Sequence, residues 1–265
     1  MANRANQARR GLRIGAVGYL NAKPLVWRLA SLLPEARISV DLPSRLADGL
    51  ACGRLDVALV PSIETVRRSD WVVVSDACVA CDGPVRSVKL VGFCPVERIR
   101  RLAVDEGSRT SAALARIVLA HRYGVVPEIC TFPIGAAVED CQAEGVVVIG
   151  DRAMRLDTGR FHFVWDLGQL WRQWTGLPFV FAMWTARAGF DAAGLADVFS
   201  TARDQGVARI EQIARDESGR LGMGTADCLA YLTLNLRYRL GRRERRGLEA
   251  FAQLATQLGL VTGKS

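Results

Sequence analysis

The chain has 265 residues, half of them apolar and 23% charged, which suits one large domain or two small ones around a sizeable core. No apolar run approaches the roughly 18 residues that a membrane span needs. The formal charge of +8 comes largely from the two ends, with four arginines in the first thirteen residues and six in 237–246, and neither stretch carries interleaved aromatics or a nucleic-acid motif.

That charge distribution argues against nucleic acid and for solvated helix ends, while favouring an anionic small molecule. Residues 1–12 are basic and lack the apolar stretch of a signal peptide. They read as a disordered tail outside the fold, and the expected address is cytoplasmic.

Residues 12–17 read as a strand and 23–33 as a helix. Residues 37–42 alternate Ile38 and Val40 with polar neighbours, as a half-buried strand does. Pro43-Ser44 opens a helix to about Cys52, with Ser44 as its cap and Gly53 as its stop. Residues 55–60 are a short buried strand. This βαβαβ order implies a mostly parallel sheet covered by helices on both faces.

Two further strand-like runs, 71–81 and 87–94, flank the turn Asp82-Gly-Pro-Val-Arg86. A strand at 102–105, a helix at 110–123 ended by Gly124, and strands at 128–132 and 145–150 form a second βαβ-type unit within about 95–185. After Arg187 the strand signals stop, and helices are expected at 190–216, 223–238 and 242–259. The sum is an α/β clamshell. Lobe 1 would comprise 13–93 with 186–265 and lobe 2 would comprise 94–185, with crossings near Phe93 and Trp184. Such folds bind small ligands between the lobes, where strand ends and helix N-termini converge.

Seven cysteines, an odd number, lie mostly in apolar or helical contexts. Cys78 and Cys81 have CxxC spacing without a second pair or a nearby histidine, and on a strand they face opposite sides. They read as buried thiols. Neither His121 nor His162 has metal-ligand spacing, and no phosphate loop is present. No metal and no cofactor are expected.

Three strand ends carry small polar groups: Tyr19-Leu-Asn21, Gly83-Pro-Val-Arg86-Ser87 and Asp105-Glu-Gly-Ser108-Arg109-Thr110-Ser111. The third is the most informative. Gly107 allows a tight turn, and three hydroxyls and an arginine then meet the free N–H groups of a starting helix, a ready site for a carboxylate or phosphate. Plain helix capping by Ser108 or Thr110 would need fewer of these groups. Asn21 can make two hydrogen bonds to a ligand. Asp151 ends the strand at Ile149 as a cleft carboxylate, a cap or half of an ion pair.

In these same stretches the chain resembles the chorismate dehydratases of the futalosine route to menaquinone. The resemblance runs through Arg13-Ile-Gly, Tyr19-Leu-Asn21 and Pro24, through Gly83 to Val88 and Ser108 to Ser111, and through Ile149-Gly-Asp151 and Asp166-Leu-Gly with Trp171. It continues in Thr175 to Ala182, Tyr238 to Gly241, Glu244, Gly247-Leu248 and Phe251, so it spans 13–260 in order. Gly18 stands where that family would have a serine. The resemblance implies a type 2 periplasmic-binding-protein fold used as a hydro-lyase. The reaction would be loss of water from chorismate to give 3-[(1-carboxyvinyl)oxy]benzoate. It carries over Asn21 and Ser87 as catalytic cleft residues and Ser108 to Ser111 as carboxylate binders, with Tyr19, Arg86 and Asp151 beside them.

Two rivals remain. A 1,4-dihydroxy-6-naphthoate synthase would share the clamshell but would carry a catalytic histidine after a second-lobe strand, where this chain has Ile149-Gly-Asp151. A non-catalytic cytoplasmic solute-binding protein is the other.

Overall fold

The computed structural model describes residues 11–261, so the expected basic tail, apart from Gly11 and Leu12, lies outside the described residues. In chain order the strands are β1 (Arg13–Val17), β2 (Arg37–Asp41), β3 (Val57–Pro61), β4 (Val72–Cys81), β5 (Val88–Gly92) and β6 (Arg101–Asp105). They continue with β7 (Glu128–Phe132), β8 (Gly145–Ile149), β9 (Phe163–Asp166), β10 (Phe179–Ala186) and β11 (Arg237–Arg239). They form two sheets, ordered β11-β4-β10-β3-β1-β2 and β7-β6-β8-β5-β9. β1 runs parallel to both neighbours, and β6 runs parallel to β7 and β8.

The burial of each strand follows its place. β3, β8 and β10 are internal and buried along their whole length, and they read as continuous apolar runs because both faces are covered. β2 is an edge strand and leaves Val40 66% exposed. Cys78 and Cys81 are both buried and pack into different apolar clusters on the two faces of β4. Burial raises the pKa of both thiols, so they stay protonated and inert.

Strand pairing moves both expected crossings. β5 pairs antiparallel with β8 and β9 in the second sheet, and β10 pairs with β3 and β4 in the first. The chain therefore changes sheet within 82–87 and again within 167–178, not near Phe93 and Trp184. Boundaries at 93/94 and 185/186 each fall beyond a strand that pairs with the other sheet. Alternation alone does not reveal a strand's partner, which here lies 50 or more residues downstream of β5.

Four helical expectations also change. Residues 23–33 are a 3-10 turn (Leu20–Val26) and a four-residue helix (Leu29–Leu32), separated by Arg28 in the left-handed region at φ 50°. Pro24 bars Lys23 from easy α geometry, so the segment tightens instead. The stretch 190–216 is two helices, Leu195–Val207 and Ile210–Leu221, whose common periodicity hides the break. The stretch 223–238 is a short helix (Thr225–Ala230), a π turn (Tyr231–Asn235) and the edge strand β11. Ser44 lies inside the helix Pro43–Ala51, which Leu42 precedes without a side-chain cap.

One apolar core runs through both lobes. Trp184 stacks on Phe199 at 4.3 Å, and Phe179 lies 4.7 Å from Phe181, 5.0 Å from Phe251 and 5.2 Å from Trp171. The helix Leu195–Val207 presses directly on the 3-10 turn. A Cβ placed on Gly206 would sit 2.0 Å from the Pro24 carbonyl oxygen, so only glycine fits.

Gly206→Ala should therefore push this helix off the turn that carries Asn21. The expected loss is about 1–3 kcal/mol of stability in urea denaturation. An unchanged midpoint would contradict this close approach.

Candidate functional site

The ends of β1 and β8, and the turn after β6, face a narrow cleft between the two sheets. Apolar walls from Val17, Leu59, Val79, Ile149 and Phe181 surround a few polar groups. Of the expected site residues, Tyr19, Asn21, Ser87, Ser108, Arg109, Thr110 and Ser111 all line it. Arg86 and Asp151 do not.

Ser87 is 1% exposed and held from several sides. Its N–H donates to the Val85 carbonyl at 2.7 Å, and its own carbonyl accepts from Gly150 N–H at 2.9 Å. The Tyr231 hydroxyl donates to Ser87 Oγ at 2.7 Å. The turn that delivers Ser87 is fixed by Asp166. Its carboxylate accepts Val85 N–H at 3.0 Å and Arg86 N–H at 2.6 Å while also capping the helix Leu167–Thr175 through Gln169 N–H. Arg86 thereby sits in the left-handed region at φ 61°. Its guanidinium points out of the cleft, 3.9 Å from Asp227.

At the second-lobe turn, Asp105 Oδ1 accepts Gly107 N–H at 3.0 Å, and Arg152 pairs with the other oxygen at 2.5 Å. Burial still raises the Asp105 pKa above the ordinary carboxylate value. Ser108 precedes the helix Arg109–Tyr123 without a side-chain cap bond, and Ala112 N–H is the first to bond back, to the Ser108 carbonyl. The N–H groups of Arg109, Thr110 and Ser111 lie in the first turn, which has no acceptor within the helix.

The side chains of this turn divide. Arg109 reaches across to the first lobe, with Asp48 oxygens at 2.7 and 2.8 Å and Glu64 at 3.6 Å. Thr110 Oγ1 accepts Ile63 N–H at 3.2 Å and lies 3.4 Å from Ser62 Oγ. Those two residues bind the lobes to each other. The buried Ser108 and Ser111 hydroxyls keep their place at the cleft wall.

Asp151 works in the same way. Its Oδ1 accepts Leu20 N–H at 3.1 Å across the lobes, and it borders a separate outer hollow with Arg45 and Arg220. Tyr19 lines both spaces, its ring against Gly150, where a Cβ would come within 2.9 Å. Burial, and then the charges of Asp105 and Asp151, push the Tyr19 phenol up to about 12, so it stays a hydrogen-bond donor.

Neither histidine lines the cleft. His121 lies 6.0 Å from Trp174, and His162 lies against Phe163. The residue that sequence reasoning missed is Tyr231. It falls in the apolar run Cys228 to Leu232, which reads as ordinary helix core, and nothing local marks it.

A family model described as menaquinone biosynthesis matches residues 12–257. A protein named chorismate dehydratase from Thermus thermophilus is 31% identical over 91% of this chain and 93% of its own. A second of that name, from Campylobacter jejuni, is 29% identical over 63% of this chain and 64% of its own. Among solved structures, protein AF1704 from Archaeoglobus fulgidus superposes with a TM-score of 0.78 at 14% identity, covering 95% of this chain and 98% of that one. The periplasmic aliphatic sulphonate binding protein SsuA from Escherichia coli gives 0.62 at 17%, covering 96% and 94%. These two likenesses establish the periplasmic-binding-protein fold.

Burial raises the pKa of Asp151, with the Leu20 N–H bond acting the other way. The folded protein thus holds that proton more tightly than the unfolded chain. This group's contribution to stability falls as pH rises from the ordinary carboxylate range through its folded value. Asp151→Asn removes that dependence, so the variant should gain stability relative to wild type as pH rises above the ordinary carboxylate value of about 4. Denaturation midpoints across that range would show the gain, and a pH-independent difference would contradict it.

Proposed function

The chain belongs to the menaquinone-biosynthesis family whose model spans residues 12–257, and from that membership we propose that it is a hydro-lyase acting on chorismate. The observation that carries the chemistry is the make-up of the cleft wall. Among its lining residues there is no carboxylate and no imidazole, and its one cation, Arg109, is paired across the lobes. A site without a base suits a reaction in which the substrate supplies its own.

Chorismate meets that condition. It carries a ring carboxylate, an enolpyruvyl carboxylate, and a hydroxyl next to an ether-bearing C–H. The enolpyruvyl carboxylate takes the proton from that carbon. The electron pair of the C–H bond becomes a ring double bond, the C–O bond breaks with its electron pair on oxygen, and that oxygen takes the proton from the newly protonated enolpyruvyl carboxyl and leaves as water. The ring becomes aromatic, so the product supplies much of the driving force. The protein's work is then mainly positioning, which is worth up to about 7–11 kcal/mol when geometry is fully fixed.

In this reading Asn21 and Ser87 orient the substrate and its leaving hydroxyl. The first-turn N–H groups and the hydroxyls at Ser108 and Ser111 hold a carboxylate. Arg109 and Thr110 act one step back, by keeping the lobes together around the bound molecule. Asp151 and Tyr19 close the outer side of the cleft.

Purified protein mixed with chorismate, followed by liquid chromatography and mass, should give an aromatic product lighter by one water. Asn21→Ala should lower the rate by about 10²-fold. Unchanged chorismate with folded protein would contradict the reading.

A further inference from the structure

We propose that Tyr231 is a positioning residue for this elimination: its phenol donates to Ser87 Oγ and so turns the serine's own hydrogen into the cleft, toward the departing hydroxyl. The inference rests on the chorismate reading of the cleft and assigns a role to a residue 144 positions away in sequence from Ser87.

The hydrogen bond runs from the phenol to the serine. Tyr231 is fully buried, and its Oη lies 2.7 Å from Ser87 Oγ. The Asn21 side chain approaches the same phenol. The phenol's hydrogen goes to Ser87. Burial raises the phenol's pKa well above its ordinary value, so the hydrogen is present throughout the neutral range. A serine hydroxyl that accepts one hydrogen bond still has its own hydrogen to give. The chain therefore runs Tyr231 to Ser87 to cleft, with one link polarising the next.

The backbone holds this chain in place. Tyr231 opens the π turn Tyr231–Asn235, a widened helical turn of the kind frequent at functional sites. At the other end of that turn, Asn235 Nδ2 donates to the Pro84 carbonyl at 2.8 Å. One short segment thus grips the 83–87 connection at both Pro84 and Ser87. During the elimination negative charge grows on the departing oxygen, and the Ser87 hydrogen bond strengthens with it. Ser87 loses no proton, because the water formed takes its hydrogen from the substrate.

Tyr231→Phe keeps the ring and removes the donor. Turnover of chorismate should fall by about 10- to 100-fold, with KM within about twofold of wild type. Ser87→Ala should fall further, and the double variant should be no slower than Ser87→Ala alone, because Tyr231 acts through Ser87. Full turnover in Tyr231→Phe, or defects that multiply in the double variant, would overturn the proposal. So would wild-type turnover in Ser87→Ala, with the dehydratase reading left standing. Wild-type protein that leaves chorismate intact would overturn the dehydratase reading and this proposal with it. Neutron diffraction from wild-type crystals decides the matter independently of how the variants fold. Deuterium on Tyr231 pointing at Ser87, with the Ser87 deuterium pointing into the cleft, is expected. Ser87 donating to Tyr231 would overturn the proposal.

Discussion

A single carboxylate, Asp166, sets the geometry on which the cleft depends. It gathers three backbone N–H groups, two from the connection between the sheets and one from the start of the helix Leu167–Thr175. A non-glycine residue in the left-handed region costs about 1–2 kcal/mol. Hydrogen bonds to a charged acceptor contribute about 1.5–3 kcal/mol each. The pair at Val85 and Arg86 therefore outweighs the strain at Arg86 and holds the turn in one conformation. That turn is where the chain first leaves one sheet for the other, so the same carboxylate fixes both the lobe connection and the entry of Ser87.

Around that fixed point the lobes are latched by several modest contacts. Leu20 N–H meets Asp151, Ile63 N–H meets Thr110, and Arg109 meets Asp48 and Glu64. Asp48 is about half exposed, so its pairing with Arg109 is screened and weak, whereas Glu64 is almost fully buried. The latched lobes enclose an apolar chamber with a few hydrogen-bond donors, which suits a ligand carrying carboxylates on a carbon ring. Asn21, Ser87 and Ser108 reach that chamber from three separate segments, so the chemistry depends on tertiary structure throughout.

Much of this was legible in the sequence. Continuous apolar runs marked the buried β3, β8 and β10, and polar groups at strand ends marked where the cleft would lie. Gly107 followed by three hydroxyls marked the turn into the helix Arg109–Tyr123. What was not legible was set by distant partners. β5 reads as a strand, but its sheet is decided by β8 and β9. The helix break before Ile210 is hidden because both helices share one periodicity, and the shape of the Pro24 turn is set by Gly206, some 180 residues on. Arg109 and Thr110 look like ligand groups until the first lobe's Asp48, Glu64 and Ile63 are placed opposite them. Tyr231 looks like core because it is core, and its hydroxyl matters only through what it faces.

The most direct measurement is a crystal structure of the protein with its expected product, 3-[(1-carboxyvinyl)oxy]benzoate, bound. The account predicts the aromatic ring inside the inner cleft. One carboxylate should lie on the N–H groups and hydroxyls of Ser108 to Ser111, with the Asn21 and Ser87 side chains within hydrogen-bonding distance of the reacting edge. A product seated only in the outer hollow beyond Tyr19, with the inner cleft closed to it, would contradict the account.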